Sequence, residues 1–332
     1  MGAIPEQSFT VRVPAWWDNA SEYVLADYPG REAAMVAAGH DWDVAERPVA
    51  ILRRNPEGKL SWVQVDGYVE HFRSDTGATL RIGSDSFERI PNRVPYDVAE
   101  ALLGEGFLFE TGGTLNGGTQ CYLTLLLNEP VVITGDNSTT LPYAGLSWAH
   151  DGSASFSVRS TSVRQVCENT VSASEAEGQR LGTNFVFRHT KNVMDRINEA
   201  KKTIQGVRAN HDVYVASMEE LAALKVTPEQ RDLFVSTIIG DRDGVLSSNA
   251  ATSDRVKSNI EAERAKINSL FFGQTIPEVH TLTGYGLHLA GVEYFDHLRA
   301  YRSKDSYVKR TLLSDNPAKA SLKRTILELA AA

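Results

Sequence analysis

The rhythm of apolar and polar positions changes once along this chain, near residue 180. Before that point, short apolar runs are separated by Gly, Pro, Asn and Asp, the spacing of strands and turns. Residues 44–52 and 60–65 flank Asn55-Pro56-Glu57-Gly58 and predict a hairpin, because Pro fixes φ at one turn position and Gly tolerates positive φ at another. Strands are expected at 67–73 and 78–82. A helix is expected at 31–38, where Ala33, Ala34 and Ala37 favour it and Gly39 stops it, and another at 95–103, with Pro95 early and Gly104 at the end.

Strands at 106–111 and 120–127 flank Gly112-Gly113-Thr114-Leu115-Asn116-Gly117-Gly118, and a short strand at 131–134 follows. Residues 143–149 and 153–159 form a second pair around His150-Asp151-Gly152. Ser162 then caps a predicted helix over 163–173, which turns Val163, Val166, Cys167 and Thr170 toward the sheet. After a strand at 185–187 the period becomes helical, over 192–224, 228–239, 253–272, 283–301 and 317–331, with a polar linker at 240–252. The expected fold is α+β: a β-rich domain over 1–180 with covering helices, then a mainly helical region over 181–332.

Composition adds limits rather than identity. In 332 residues, 42% apolar and 23% charged, the chain has the make-up of a globular protein. It has no basic start followed by an apolar run, and no apolar stretch near the roughly 20 residues that cross a bilayer, so a cytoplasmic protein without membrane contact is expected. Cys121 and Cys167 sit in apolar segments and read as buried free thiols in a reducing compartment. The net charge of −8 is uneven: residues 1–180 carry 13 Lys and Arg against 24 Asp and Glu, residues 181–332 carry 21 against 18. A nucleic-acid surface must therefore be local.

Catalytic motifs fail on chemistry. The glycine cluster lacks the Lys-Ser/Thr end of a phosphate loop and the dinucleotide fingerprint, and reads as a turn. His150-Asp151-Gly152-Ser153 holds the residue types of an acyl-transfer triad, but neighbours on one tight turn do not align a relay. His288 and His297 lie nine apart, on nearly opposite helix faces, and with His280 make a poor metal trio. The expectation is no catalytic residue, no metal and no cofactor. An enzyme would have to assemble His150, Asp151, Glu293 and His297 across the fold. The positive candidates are Arg159, Arg164, Arg188 and Lys191 for phosphates, with Trp148 or His150 stacking on bases. Trp16, Trp17, Trp42 and Trp62 are the other tryptophans, and Arg299, Arg302, Lys304, Lys309, Arg310, Lys319, Lys323 and Arg324 form a second basic run.

Several pieces carry a resemblance when taken together. They are Pro14-Ala15-Trp16, Ala38-Gly39-His40-Asp41-Trp42-Asp43-Val44, Gly113-Thr114-Leu115-Asn116-Gly117-Gly118 with Leu123, and Ser147-Trp148-Ala149-His150-Asp151-Gly152-Ser153. Val163-Arg164-Gln165-Val166-Cys167-Glu168-Asn169-Thr170, Phe187-Arg188-His189-Thr190 and Glu293-Tyr294-Phe295-Asp296-His297 follow. In this order they resemble the phage/plasmid-like proteins that carry domain of unknown function 932. Trp17 departs from the His and Gly expected after the first piece. The resemblance implies accessory cargo of a mobile element and leaves the activity open. At the level of topology alone, strands followed by a helix over 105–175 resemble the core of ring-forming single-strand annealing proteins. The expected function is thus single-stranded DNA binding, with strand annealing as its extension, by a homo-oligomer. The alternative is a module that uses its acidic first half to counteract or redirect a host protein.

Overall fold

The computed structural model describes residues 7–11, 24–104, 106–164, 169–172, 185–201, 206–241, 244–273, 275–299 and 321–331. In chain order the first part contains β1 (Gln7–Thr10), α1 (Arg31–Ala38), β2 (Val44–Arg54), β3 (Leu60–Arg73), β4 (Thr79–Ser84), α2 (Arg93–Leu103), β5 (Phe107–Leu115), β6 (Gln120–Leu127), β7 (Val131–Val132), β8 (Thr139–Ala149), β9 (Phe156–Arg164), β10 (Asn169–Ser172) and β11 (Phe185–Phe187). The helices α3 (Val193–Lys201), α4 (Gly206–Ala223), α5 (Pro228–Ile238), α6 (Val245–Ser248), α7 (Asp254–Leu270), α8 (Gly284–Glu293) and α9 (Leu322–Ala330) follow. The fold is α+β, β-rich first and mainly helical afterwards, as the change of rhythm implies. Among the described residues no helix is long and apolar enough to cross a membrane.

An eight-stranded antiparallel sheet runs β1–β5–β6–β8–β9–β10, with β7 paired to β8 and β11 to β9; β2–β3–β4 form a separate sheet. Side chains alternate between faces along each strand, so the register sorts them. Phe9, Gly112, Leu123, Leu146, Val158 and Phe185 are successive cross-strand partners. This apolar row belongs to a core that α1, α2 and α3 complete with Met35, Tyr96, Leu102, Val193 and Ile197. On the other face lie two polar rows, Ser8–Gly113–Tyr122–Ser147–Ser157 and Thr10–Thr111–Thr124–Gly145–Arg159.

The helix expected over 163–173 is absent from the described part of that stretch. Val163 and Arg164 continue β9, and Asn169 to Ser172 form β10 antiparallel to it, with Thr170 opposite Val163. The reason is the length of β8, which begins at Thr139 rather than at Tyr143; Thr140, Leu141 and Pro142 extend the ladder that holds Arg164, Val163 and Ser162. β-Branched Thr161, Val163, Thr170 and Val171 suit that ladder better than a helix. Val166 and Cys167 lie outside the described residues. The comparison with annealing proteins loses the helix on which it was based.

The later helices build a second core with Leu221, Phe234, Ile267, Tyr285, Leu289 and Ile326, which also takes in Ile133 from the loop after β7. Thr227 caps α5 reciprocally with Gln230. α8 is mostly apolar and buried from Gly284 to Val292, as a helix without a polar face must be. The expected helix over 283–301 instead passes into a π-helical turn at Tyr294–Leu298, and the long helix over 192–224 is seen as α3 and α4 with 202–205 outside the described residues. The segment after β7 ties sheet to helices: Thr134 N donates to Glu219 Oε1 (2.8 Å), His280 Nε2 donates to Thr134 O (2.9 Å), and Tyr285 Oη donates to Asp136 Oδ2 (2.8 Å).

Close approach in α8 gives a test. A Cβ on Gly286 would lie 1.8 Å from the carbonyl oxygen of His280, so Gly286→Ala must shift the 278–280 turn and the His280 contact to Thr134. Denaturant melts of Gly286→Ala are expected to show a loss of about 1–3 kcal/mol, the usual cost of overpacking; an unchanged midpoint would refute this packing account.

Candidate nucleic-acid interface

Two of the stacking and phosphate candidates are buried. Trp148 is 1% exposed and His150 2% exposed, so neither offers a ring face to a base. Their N–H groups are committed instead to one amide. Asn92, the residue before α2, accepts at Oδ1 from Trp148 Nε1 (2.9 Å) and from His150 Nε2 (2.9 Å), while its Nδ2 donates to Trp42 O (3.1 Å). Trp42 Nε1 in turn donates to Gly39 O (2.7 Å). His40 stands in the same layer, its Nε2 donating to Gly113 O (3.0 Å) and its Nδ1 accepting from Tyr96 Oη (2.9 Å). These bonds fix both rings as neutral Nε2–H tautomers.

The same neighbourhood explains the glycines. Gly118 has φ +89°, and a Cβ there would meet Trp42 Cζ2 at 2.9 Å and Arg73 Nη1 at 3.0 Å. Arg73 stacks over the Trp42 ring (4.6 Å) and donates to Gly117 O (3.3 Å) and to Asp75. Burial holds His40 down at about 4 and His150 at about 3, and pushes the Cys121 thiol far above its ordinary range. Cys121 is a buried free thiol, its Sγ 4.0 Å from His150 Nε2. Among the described residues no group of three His, Cys, Asp or Glu could hold a metal ion. The side-chain contacts of His150 are with Asn92, Cys121 and the Trp42 ring.

The remaining cationic candidates separate. Arg159 lies on the polar face of the large sheet, half-buried. Arg164 ends β9, with its side chain outside the described part. Arg188 and Lys191 are exposed on the turn before α3. Between them His189 stacks on Phe87 (4.3 Å) and donates from Nδ1 to Glu88 O (2.8 Å), and Arg81 also lies over the Phe87 ring (4.1 Å). That turn is therefore seated at the foot of β4. Trp16, Trp17 and most of the second basic run lie outside the described residues.

What the sequence did not single out is the far end of β2 and β3. Residues 50–54 pair with 60–64 as a two-stranded ribbon that β4 does not reach. Leu52 faces Trp62 and Arg54 faces Leu60 on one side, while Ile51 with Val63 and Arg53 with Ser61 occupy the other. Trp62 is 72% exposed, and Ile51, Leu52 and Leu60 are exposed too. Arg53, Arg54 and Lys59 are exposed beside them, with Glu57 the sole acid between residues 50 and 64. The tip is built tightly: Asn55 N donates to Lys59 O (2.9 Å), Lys59 N to Asn55 Oδ1 (2.8 Å), and Arg54 Nη1 to Gly58 O (2.7 Å). At the foot, Arg47 pairs with Glu70 through two bonds (2.6 and 2.9 Å) that hold the Glu70 carboxyl below its ordinary range.

Comparison with known proteins gives one match. The family model described as domain of unknown function (DUF932) matches residues 79–314. No curated protein and no solved structure matches the chain.

The Asn92 node and its histidines yield two tests. Asn92→Leu strands two buried N–H donors and one carbonyl, each costing about 1–3 kcal/mol, so urea melts should lose roughly 3–5 kcal/mol; a loss below 1 kcal/mol would show that the donors find other partners. The pH dependence has a fixed sign. Unfolded rings bind protons below the usual 6.5, whereas the folded His40 and His150 stay neutral down to about 4 and about 3. Stability is thus level above pH 7 and falls as pH drops through 6.5 toward 4, by about 1.4 kcal/mol per unit for each ring. Melts at pH 8, 6.5 and 5 that give equal stability would contradict it.

Proposed function

The chain belongs to the DUF932 family, and from that premise we propose that it binds single-stranded DNA through the β2–β3 arm. The observation that carries this reading is the exposed Trp62, with Arg54 and Leu60 on its side of the ribbon, Arg53 on the other and Lys59 at the tip, all exposed. An isolated two-stranded ribbon is marginal in water, so exposed apolar groups on both sides favour a bound state that covers them. A single strand offers what this arm lacks: base faces for Trp62, Leu52 and Leu60, and phosphates for the three cations. Charge favours the same partner, since the arm is basic on a chain of net charge −8 and draws an anionic polymer to one place. Arg188 and Lys191, near the foot, extend the contact along the strand. The proposal is one of binding in the cytoplasm of a homo-oligomer that presents several arms; no bond is made or broken.

A fluorescently labelled oligothymidine titrated against the protein at several salt concentrations tests this. Trp62→Ala is expected to weaken binding about 5- to 100-fold, the worth of one stacked base. Replacing Arg53, Arg54 and Lys59 together by Ala should reduce the slope of log affinity against log salt by about 2. No binding at low salt would end the proposal. An arm-dependent dimer by light scattering, with no DNA affinity, would assign the arm to a second copy instead.

A further inference from the structure

The side of β2 that carries Trp62 leads back to an arginine without an anion. Cross-strand partners share a face, and so do alternate residues of one strand. Glu46, Pro48 and Leu52 of β2 therefore set three rows on one side: His71 with Arg81, Val69 with Gly83, and Trp62. The extra residues of the irregularity fall in β3, between Gln64 and Val69, and leave the alternation of β2 intact. Arg81 runs along this side toward the arm. A Cβ on Gly83 would lie 2.5 Å from its Nη2 and 2.6 Å from its Nε, so the guanidinium lies over bare backbone, and the Phe87 ring centre is 4.1 Å from its carbon. A Cβ on the exposed Gly152 would sit 3.7 Å from Nη1.

Other half-buried arginines have carboxylates. Arg31 pairs with Asp97, Arg73 with Asp75 (2.7 Å), Arg231 with Asp232 (3.0 Å) and Arg264 with Asp241 (3.2 Å). Arg81 is half-buried too, yet among the described residues it has no such pair, and its Nη1 is buried without a hydrogen-bond partner. The acids around it are committed elsewhere: Glu46 lies 3.4 Å from Arg89 Nε and 3.6 Å from His71 Nε2, and Asp151 accepts from Ser153 N (2.8 Å). A charged donor left unpaired costs more than a pair gains, so the arrangement favours an anion from outside the chain. A guanidinium held flat by a ring and a glycine matches a phosphate in geometry.

We propose that Arg81 is a phosphate seat at the foot of the arm, taking a backbone phosphate of the strand whose base stacks on Trp62. This rests on the reading of the arm as a single-strand binder and adds the strand's path, along the Trp62 side of β2 toward the turn that carries Arg188 and Lys191. The Gly83 row and the Trp62 row are four residues of β2 apart, Pro48 against Leu52. That is about 13 Å at 3.3 Å per residue, or roughly four nucleotides at 3.4 Å each. A dinucleotide on Trp62 does not reach the seat, and an octanucleotide does.

Oligothymidines of two and eight nucleotides, titrated against the full chain at several salt concentrations, test the assignment. Arg81→Gln should weaken the octanucleotide about 10-fold, lower its salt slope by about 0.7, the share of one phosphate on a single strand, and leave the dinucleotide unchanged. Arg81→Lys keeps the charge and should keep the slope. Trp62→Ala should weaken both lengths. If Arg81→Gln does not fold, Gly152→Asp sets a carboxylate beside Nη1, at a φ of +78° that Asp adopts more readily than most residues, and should weaken the octanucleotide in the same way. Unchanged octanucleotide affinity and slope in the folded variant, with Trp62→Ala still weakening both lengths, would overturn the seat and leave the arm standing. No binding of either length by the parent would overturn both.

Discussion

Three segments distant in sequence end on one side chain. Asn92 receives the indole N–H of Trp148 and the imidazole N–H of His150 at its oxygen and gives its own N–H to the carbonyl of Trp42. All of these groups are buried, and an unpaired buried donor costs more than a pair gains. The end of β8, the start of β2 and the start of α2 therefore hold one relative position or lose all three bonds together. The arm begins at Val44, two residues beyond Trp42. Its foot is therefore anchored to the node, and Arg73 on the Trp42 ring anchors the returning strand to the same place.

A second constraint comes from the period of two. The sheet places Phe9, Leu123, Leu146 and Val158 on the side that α1, α2 and α3 cover, and on the other side the positions next to them are Ser, Thr, Tyr, Gly and Arg, with Leu126, Leu141 and Tyr143 clustered beyond. That alternation is usual for a sheet wet on one side. Its burial makes the difference, because hydroxyls without water need partners of their own. The polar face and the arm are thus opposite cases: one is polar and covered, the other apolar and bare.

The hairpin, both early helices, the strand pairs around the glycine loop and the later helices are legible from period and turn chemistry. The misreadings have local causes. Gly67 suggests a break between two strands, but with φ +74° it serves as an irregularity inside the single β3. The 163–173 stretch carries a capping serine and an apolar spacing compatible with a helix, and only the unforeseen start of β8 at Thr139 decides for strand. Trp148 looked like a platform because arginines are near it in sequence, although its position, even-numbered with Ala144 and Leu146, already places it on the apolar face of β8. Trp62 carried a signal as well: its strand is apolar on both sides of a ribbon, which no covered strand beyond it explains. Burial of the polar face could not be read, since it depends on which segments lie above the sheet.

The pieces by which the sequence resembles its family fall largely within the frame rather than on its bare surfaces. His40, Trp42, Gly113, Gly118, Trp148 and His150 all belong to the layer around Asn92. Their chemistry is that of neutral, desolvated rings bonded to backbone and amide, and it fixes how three segments of the chain sit together. The match begins at residue 79, after β2 and β3 have ended, and includes β5, β6, β8 and β9. The polar face belongs mostly to the matched segment, with Ser8 and Thr10 of β1 outside it, whereas the arm lies wholly ahead of the match. The arm's foot is tied to the matched segment through the Asn92 node and through Arg89, which donates to Val44 O.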